Sequence, residues 1–157
     1  GRSTHNQLGQ NTLINIDIGC HYGAYASAYD RPVFLGKMPD TMKKEIRFML
    51  ELHEKLICDW VKPGICVGDV YERYYNYFID HGYGPPPASA SHGIGVFEGE
   101  PPAFRRNILT VLKPGMAIAG DHFFRSAQYG FRFEDCYKIT QTGTELFTKS
   151  HWECIEL

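Results

Sequence analysis

The sequence predicts an α+β fold, and one curved, mostly antiparallel sheet with helices on one face is consistent with it. Three observations lead there. Strand-like apolar runs gather at both ends of the chain. Two stretches with helical periodicity lie between them. A Pro/Gly/Ser-rich segment, 83–103, separates the second helical stretch from the later strands. Strands at both ends around a central helix pair suit one layer of sheet packed against one layer of helix. A chain of 157 residues suits a single domain with a sizeable core, and residues 1–157 are read as one.

The elements follow in order. Residues 12–18 (TLINIDI) read as a strand, and residues 32–36 (PVFLG) as a second after a Gly- and Tyr-rich turn. Residues 40–61 read as the main helix. Met42, Ile46, Met49, Leu50, His53, Leu56, Ile57 and Trp60 recur there at three and four and form one face. Asp40 or Thr41 is expected to cap its start, and Lys62-Pro63-Gly64 to stop it. A second helix is expected over 69–81, with Val70, Tyr74 and Phe78 in register and Gly82 ending it. Residues 83–103 read as a loop, 116–120 and 131–140 as strands, and Gln141-Thr142-Gly143 as a turn.

Composition excludes several classes. A net charge of −2 gives no nucleic-acid footprint. No apolar run approaches the ~18 residues a membrane span needs, and no segment reads as a signal peptide. The five cysteines are odd in number and form no CxxC pair, which argues for free thiols in a reducing, cytoplasmic setting rather than a disulfide framework or structural zinc. Ten Tyr, ten Phe and two Trp suggest a well-filled core. No G-x-S-x-G elbow, P-loop or G-x-G-x-x-G occurs.

Five short stretches carry the chemistry: NIDIG (15–19), YASAYDR (25–31), SHGIG (91–95), PGMAIAGDH (114–122) and FRFED (131–135). Each sets a carboxylate or an imidazole in or beside a strand-like run. Asp, His, Asp and Glu drawn from distant segments are the ingredients of a hard-metal or acid/base site.

The order and wording of these stretches resemble the pita-bread hydrolases, a group that includes creatinase, aminopeptidase P, prolidase and methionine aminopeptidase. The resemblance runs over roughly residues 4–148. It implies a pita-bread fold with the site in the concave face of the sheet, and it makes 1–157 the C-terminal, catalytic-type portion. In that pattern Asp17 matches the first Asp ligand, but the second, eleven residues on, falls on Ala28. Tyr25 and Arg31 hold the register around it. His92 matches the ligand His, with Ser91 in place of a Gly. Asp121 stands where relatives have Glu, and His122 where they have Pro. Glu134 matches the last ligand, within Arg132-Phe133-Glu134-Asp135. A further family His falls on Gly99. The resemblance places His92, Asp121 and Glu134 on one metal and Asp17, with Glu134 shared, on the other.

Loss of the bridging carboxylate cripples a two-metal clamp. The pattern is nearest to metal-free, creatinase-like members, which also carry Ala at this point and a carboxylate two residues later, here Asp30. Those members use a His ahead of the first strand, and Thr4-His5-Asn6 stands there. The resemblance therefore implies a hydrolase acting on a C–N bond of a small molecule or peptide. His92, Glu134, His5 and Asp30 are the expected catalytic residues, and Asp17, Tyr25, Arg31 and Arg132 the expected substrate contacts. The cofactor is none, or one divalent ion (Mn, Fe or Zn) on His92, Asp121 and Glu134 with Asp17 nearby. Two alternatives stay open: a one-metal enzyme with hydrolytic, lyase or oxygen chemistry, and a non-catalytic binding module on the same fold. Relatives carry further structure ahead of the Asp17 strand, so a homodimer or an assembly with a chain supplying that part is expected. Neither nucleic acid nor membrane is expected as a partner.

Overall fold

The computed structural model describes residues 5–157. It opens with two long strands, β1 (Thr12–Tyr22) and β2 (Tyr25–Leu35), paired antiparallel along their whole length. The turn between them is only Gly23-Ala24, both with positive φ (55° and 69°). That is the left-handed geometry a two-residue hairpin needs to match strand twist. Most of the Gly- and Tyr-rich turn expected between 12–18 and 32–36 is instead strand, because Tyr25–Arg31 find cross-strand partners in Ile16–Tyr22.

The helical layer comes next. Helix α1 (Asp40–Glu54) runs into a π-helical segment, Lys55–Trp60, and α2 covers Val67–Asp80. The expected single helix over 40–61 thus changes pitch in its last turns. Neither Asp40 nor Thr41 caps it: Pro39 holds the N-cap position without a side-chain bond, and Asp40 lies inside the first turn, where its charge favours the helix dipole. The segment after α2 is not all loop, for it contains β3 (His92–Gly93) and β4 (Glu100–Ala103). Two long strands follow, β5 (Ala117–Arg125) and β6 (Gly130–Ile139), then the short β7 (Thr144–Leu146) and β8 (Ile155–Glu156).

The strands form one sheet in the order β1-β2-β6-β5-β3-β4, with β7 beside β6 and β8 beside β2. Only the β2–β8 contact is parallel among the pairings. Alternation divides each long strand between two faces. From β5 and β6, Ile118, Phe124, Phe131, Phe133 and Tyr137 turn toward the helices. There they join Met49, Leu52, Leu56, Ile57, Val70 and Tyr74 in the core. Burying each large side chain of this set contributes about 1.5–3 kcal/mol. The alternate residues of the same strands are thereby committed to the other, concave face. On the far edge β1 is exposed from Asn15 onward, including Ile16 and Ile18. Among the described residues no helix is long and apolar enough to cross a membrane.

Candidate functional site

Register builds the site. Asp17 lies directly opposite Asp30, Asp30 opposite Glu134, and Glu134 opposite Asp121. Four carboxylates thus stand in one row across four adjacent strands, on the face away from the helices. Neighbouring strands are ~4.8 Å apart, and like charges directly opposite one another repel. Such a row holds only with cations among it.

His92 joins one end of the row from β3, where it pairs with Ala119 of β5. One ligand atom each from His92, Asp121 and Glu134 lies within 4.8 Å of the others. His92 Nδ1 donates to the Gly93 carbonyl at 2.9 Å. Its Nε2 lies 3.8 Å from Glu134 Oε1 and carries the lone pair in the neutral ring. The residue after it has to be glycine: a Cβ on Gly93 would come within 2.4 Å of the Pro101 carbonyl oxygen. Asp121 reaches the cluster despite being one methylene shorter than Glu.

The electrostatics mark the two carboxylates of this cluster. Glu134 is buried, and neither of its carboxylate oxygens has a hydrogen-bond partner; nor does Asp121 Oδ1. Burial, followed by the Asp121 charge, raises the Glu134 carboxyl to about 8. Burial also raises Asp121, to about 6, against the pull of Arg132 and His92. Buried acceptors without donors are costly, and native proteins keep few of them. An imidazole lone pair and unpartnered carboxylate oxygens form the donor set of a divalent ion such as Mn, Fe or Zn, so this position fits one.

The neighbouring position does not fit a second ion. Ala28 is 1% exposed and clusters with Ile94, Ala119 and Cys136. The ladder pairs β2 with β6 at Asp30–Glu134, and Cys136 Sγ reaches the Ala28 carbonyl at 3.1 Å. A cavity of about 410 Å³ has Ala28, Ile94, Ala117 and Cys136 in its wall. The cation in the row is Arg132, which lies beside all four carboxylates.

The other expected site residues separate. His5 is exposed ahead of β1, and Thr4 lies outside the described residues. Tyr25 is exposed at the β1–β2 turn. Arg31 is turned to the opposite face and does not reach the cluster. Its Nη2 donates to both oxygens of Asp135 at 2.8 Å, and Nη1 to the Glu134 carbonyl at 3.0 Å, which clamps β2 to β6. Sequence reasoning also passed over a buried relay on that face. His53 Nε2 lies 2.8 Å from Asp135 Oδ2, and His53 Nδ1 lies 2.7 Å from His122 Nδ1. Asp135 accepts, so His53 donates to it from Nε2 and takes the His122 Nδ1 proton at Nδ1. One signal was available: His53 falls on the apolar face of its helix, where a buried imidazole requires a partner.

With this geometry in view, comparison with known proteins is direct. The profile of metallopeptidase family M24 matches residues 1–141, and the chain belongs to that family. A curated relative, the Xaa-Pro dipeptidase of Lactobacillus delbrueckii subsp. lactis, is 29% identical over 150 residues, which is 94% of this chain and 40% of the relative. Among solved structures, the Xaa-Pro dipeptidase from Bacillus anthracis is 28% identical with a TM-score of 0.92, over 98% of this chain and 44% of that one. The prolidase from Pyrococcus horikoshii OT3 is also 28% identical, with a TM-score of 0.90, over 97% of this chain and 44% of that one. The fold is the pita-bread fold, and the chain spans 40–44% of the length of these relatives.

Proposed function

We propose that this chain carries the centre of a C–N bond hydrolase that works with one divalent ion, Mn, Fe or Zn, held by His92, Asp121 and Glu134. One observation carries the reading: the buried, unpartnered oxygens of Glu134 and Asp121 converge with the free lone pair of His92. Bound there, the ion supplies Lewis acidity for a scissile carbonyl. Glu134 has two oxygens without protein donors, so one is available to take a proton from the attacking water. Substrate has room next to the row. A cavity of about 520 Å³ opens along the sheet at Asn15, two residues before Asp17, and Phe123, two after Asp121. Arg125 and Gln128 add polar groups to its wall, which suits a small molecule or a short peptide. The exposed Ile16 and Ile18 on edge strand β1 support an assembly, as a homodimer or with another chain, in which further polypeptide covers that edge.

A metal-free reading of the creatinase type has its own support in the 3.8 Å approach of His92 Nε2 to Glu134 Oε1. There His92 would pass the proton and Glu134 hold it. Ion content and chelation separate the two. The one-metal reading expects one ion per chain, and hydrolysis that stops on chelation and returns with Mn2+. Undiminished turnover after complete chelation would decide for the metal-free reading.

A further inference from the structure

Asp121 is the shortest of the three donors, and the residue after it is tied to the helical layer. We infer that the buried hydrogen bond between His122 and His53 is a positioning device for Asp121, holding strand β5 where a side chain one methylene shorter than Glu reaches the cluster with His92 and Glu134. The inference rests on the one-metal reading above.

The back of the sheet carries it. Successive strand residues point to opposite faces, so Asp121 turns to the concave side and His122 to the helices. His122 is fully buried there and donates from Nδ1 to His53 Nδ1 at 2.7 Å. His53, fully buried near the end of α1, passes the tie to Asp135 Oδ2 at 2.8 Å. One helical imidazole thus joins the residue after Asp121 to the residue after Glu134. Two rings shelter the pair: between ring centres, Tyr74 stands 5.8 Å from His122 and Trp152 5.1 Å from His53. Away from water such hydrogen bonds strengthen. On the other side of Asp121, Gly120 sets a second fixed point. A Cβ there would lie 3.1 Å from the Tyr137 ring and 3.4 Å from Ile57, so β5 is pressed against its neighbours at that residue.

Side-chain length explains the need. An Asp carboxylate hangs from the backbone by two torsions and a Glu carboxylate by three, so Asp has less freedom to correct a misplaced strand. Little on the concave face corrects it either. Asp121 Oδ1 accepts no hydrogen bond, and Arg132 Nη1 stands 3.5 Å from Oδ2. The placement of this carboxylate therefore comes from the backbone behind it. Two departures from the family pattern are adjacent here, Asp for Glu at 121 and His for Pro at 122, and the second supplies what the first requires. His122 and His53 face away from the ion, so both are positioning residues.

Mn2+ affinity, measured by titration calorimetry, tests this. His122→Leu cuts the tie and should weaken Mn2+ binding by about 10-fold or more. His122→Asn puts an amide N–H in place of Nδ1–H and should keep most of the wild-type affinity. In an Asp121→Glu background His122→Leu should cost little, because the longer side chain adjusts its own reach. Wild-type affinity in His122→Leu would overturn the inference. So would a loss that His122→Asn shares, or one that is as large in the Asp121→Glu background. If His122→Leu fails to fold, His122→Phe, which keeps a ring beside Tyr74, is read by the same outcomes. No Mn2+ on the wild type would sink the one-metal reading, and the positioning claim is then read from crystals of the chelated protein. There the Asp121 carboxylate should be displaced in His122→Leu and in place in His122→Asn; an unmoved carboxylate in His122→Leu overturns the claim.

Discussion

Glu134 and Asp135 are adjacent in sequence, both fully buried, and opposite in every other respect. Glu134 faces the concave side with no hydrogen-bond donor on either oxygen, and its carboxyl is raised. Asp135 faces the helices and is saturated: Arg31, His53 and Thr148 all bond it. Burial pushes the Asp135 carboxyl up, but those bonds outweigh it and hold the group below its ordinary value. One step along a strand separates a carboxylate kept available from one used as structure. The comparison teaches that burial alone does not mark a functional acid; the absence of protein partners does.

The largest expected effect breaks the saturated side. Asp135→Ala leaves Arg31 and His53 buried without their acceptor and should cost about 3–5 kcal/mol of stability, measured by denaturant unfolding. Glu134→Ala removes a buried acid that accepts no hydrogen bond from the protein and is offset only by the nearby Arg132 charge. In chelated protein its Tm should match or exceed that of the wild type. Activity reverses the ranking: His92→Ala and Glu134→Ala should each lower turnover by at least ~100-fold while both variants stay folded. Turnover unchanged in either would return the chain to the non-catalytic reading.

The relay behind Asp135 gives a pH signature. Burial, the largest cause, lowers both His53 and His122. A histidine depressed in the folded state contributes its full stability above its unfolded value of about 6.5. Below that the unfolded chain takes up protons that the folded one refuses. Stability should then fall by about 1.4 kcal/mol per pH unit for each histidine. The Asp135 contribution, also from a depressed group, is lost only at lower pH, below about 3.8. Tm against pH should show both stages, and His53→Gln/His122→Gln should abolish the upper one. The smallest effect is Thr148→Val. It removes one of three partners of Asp135 and should cost about 1 kcal/mol with no change in turnover.

Much of this was legible in the chain. Alternation in FRFED assigns Arg132 and Glu134 to one face and Phe133 and Asp135 to the other, because a strand has a period of two. The helix pair was legible from apolar spacing at three and four, although the change of pitch at Lys55 was not, since leucine, isoleucine and tryptophan suit either helix. The long hairpin was missed because Tyr25–Asp30 read as turn residues and gain strand geometry only from their partners in β1.

By itself the sequence picked out the candidate donors, His92, Asp121 and Glu134, and Ala28 where the resemblance expects a carboxylate. The tertiary structure alone decided their line-up. Register across β1, β2, β6 and β5 sets Asp17, Asp30, Glu134 and Asp121 side by side, and register is a property of strand pairs, not of any one strand. The same holds for the two arginines. Arg31 and Arg132 both flank carboxylates in sequence, yet one is fixed behind the sheet on Asp135 and the other stands among the four acids. The reason is physical: a guanidinium goes where unpaired buried carboxylates are, and only the assembled sheet decides where that is.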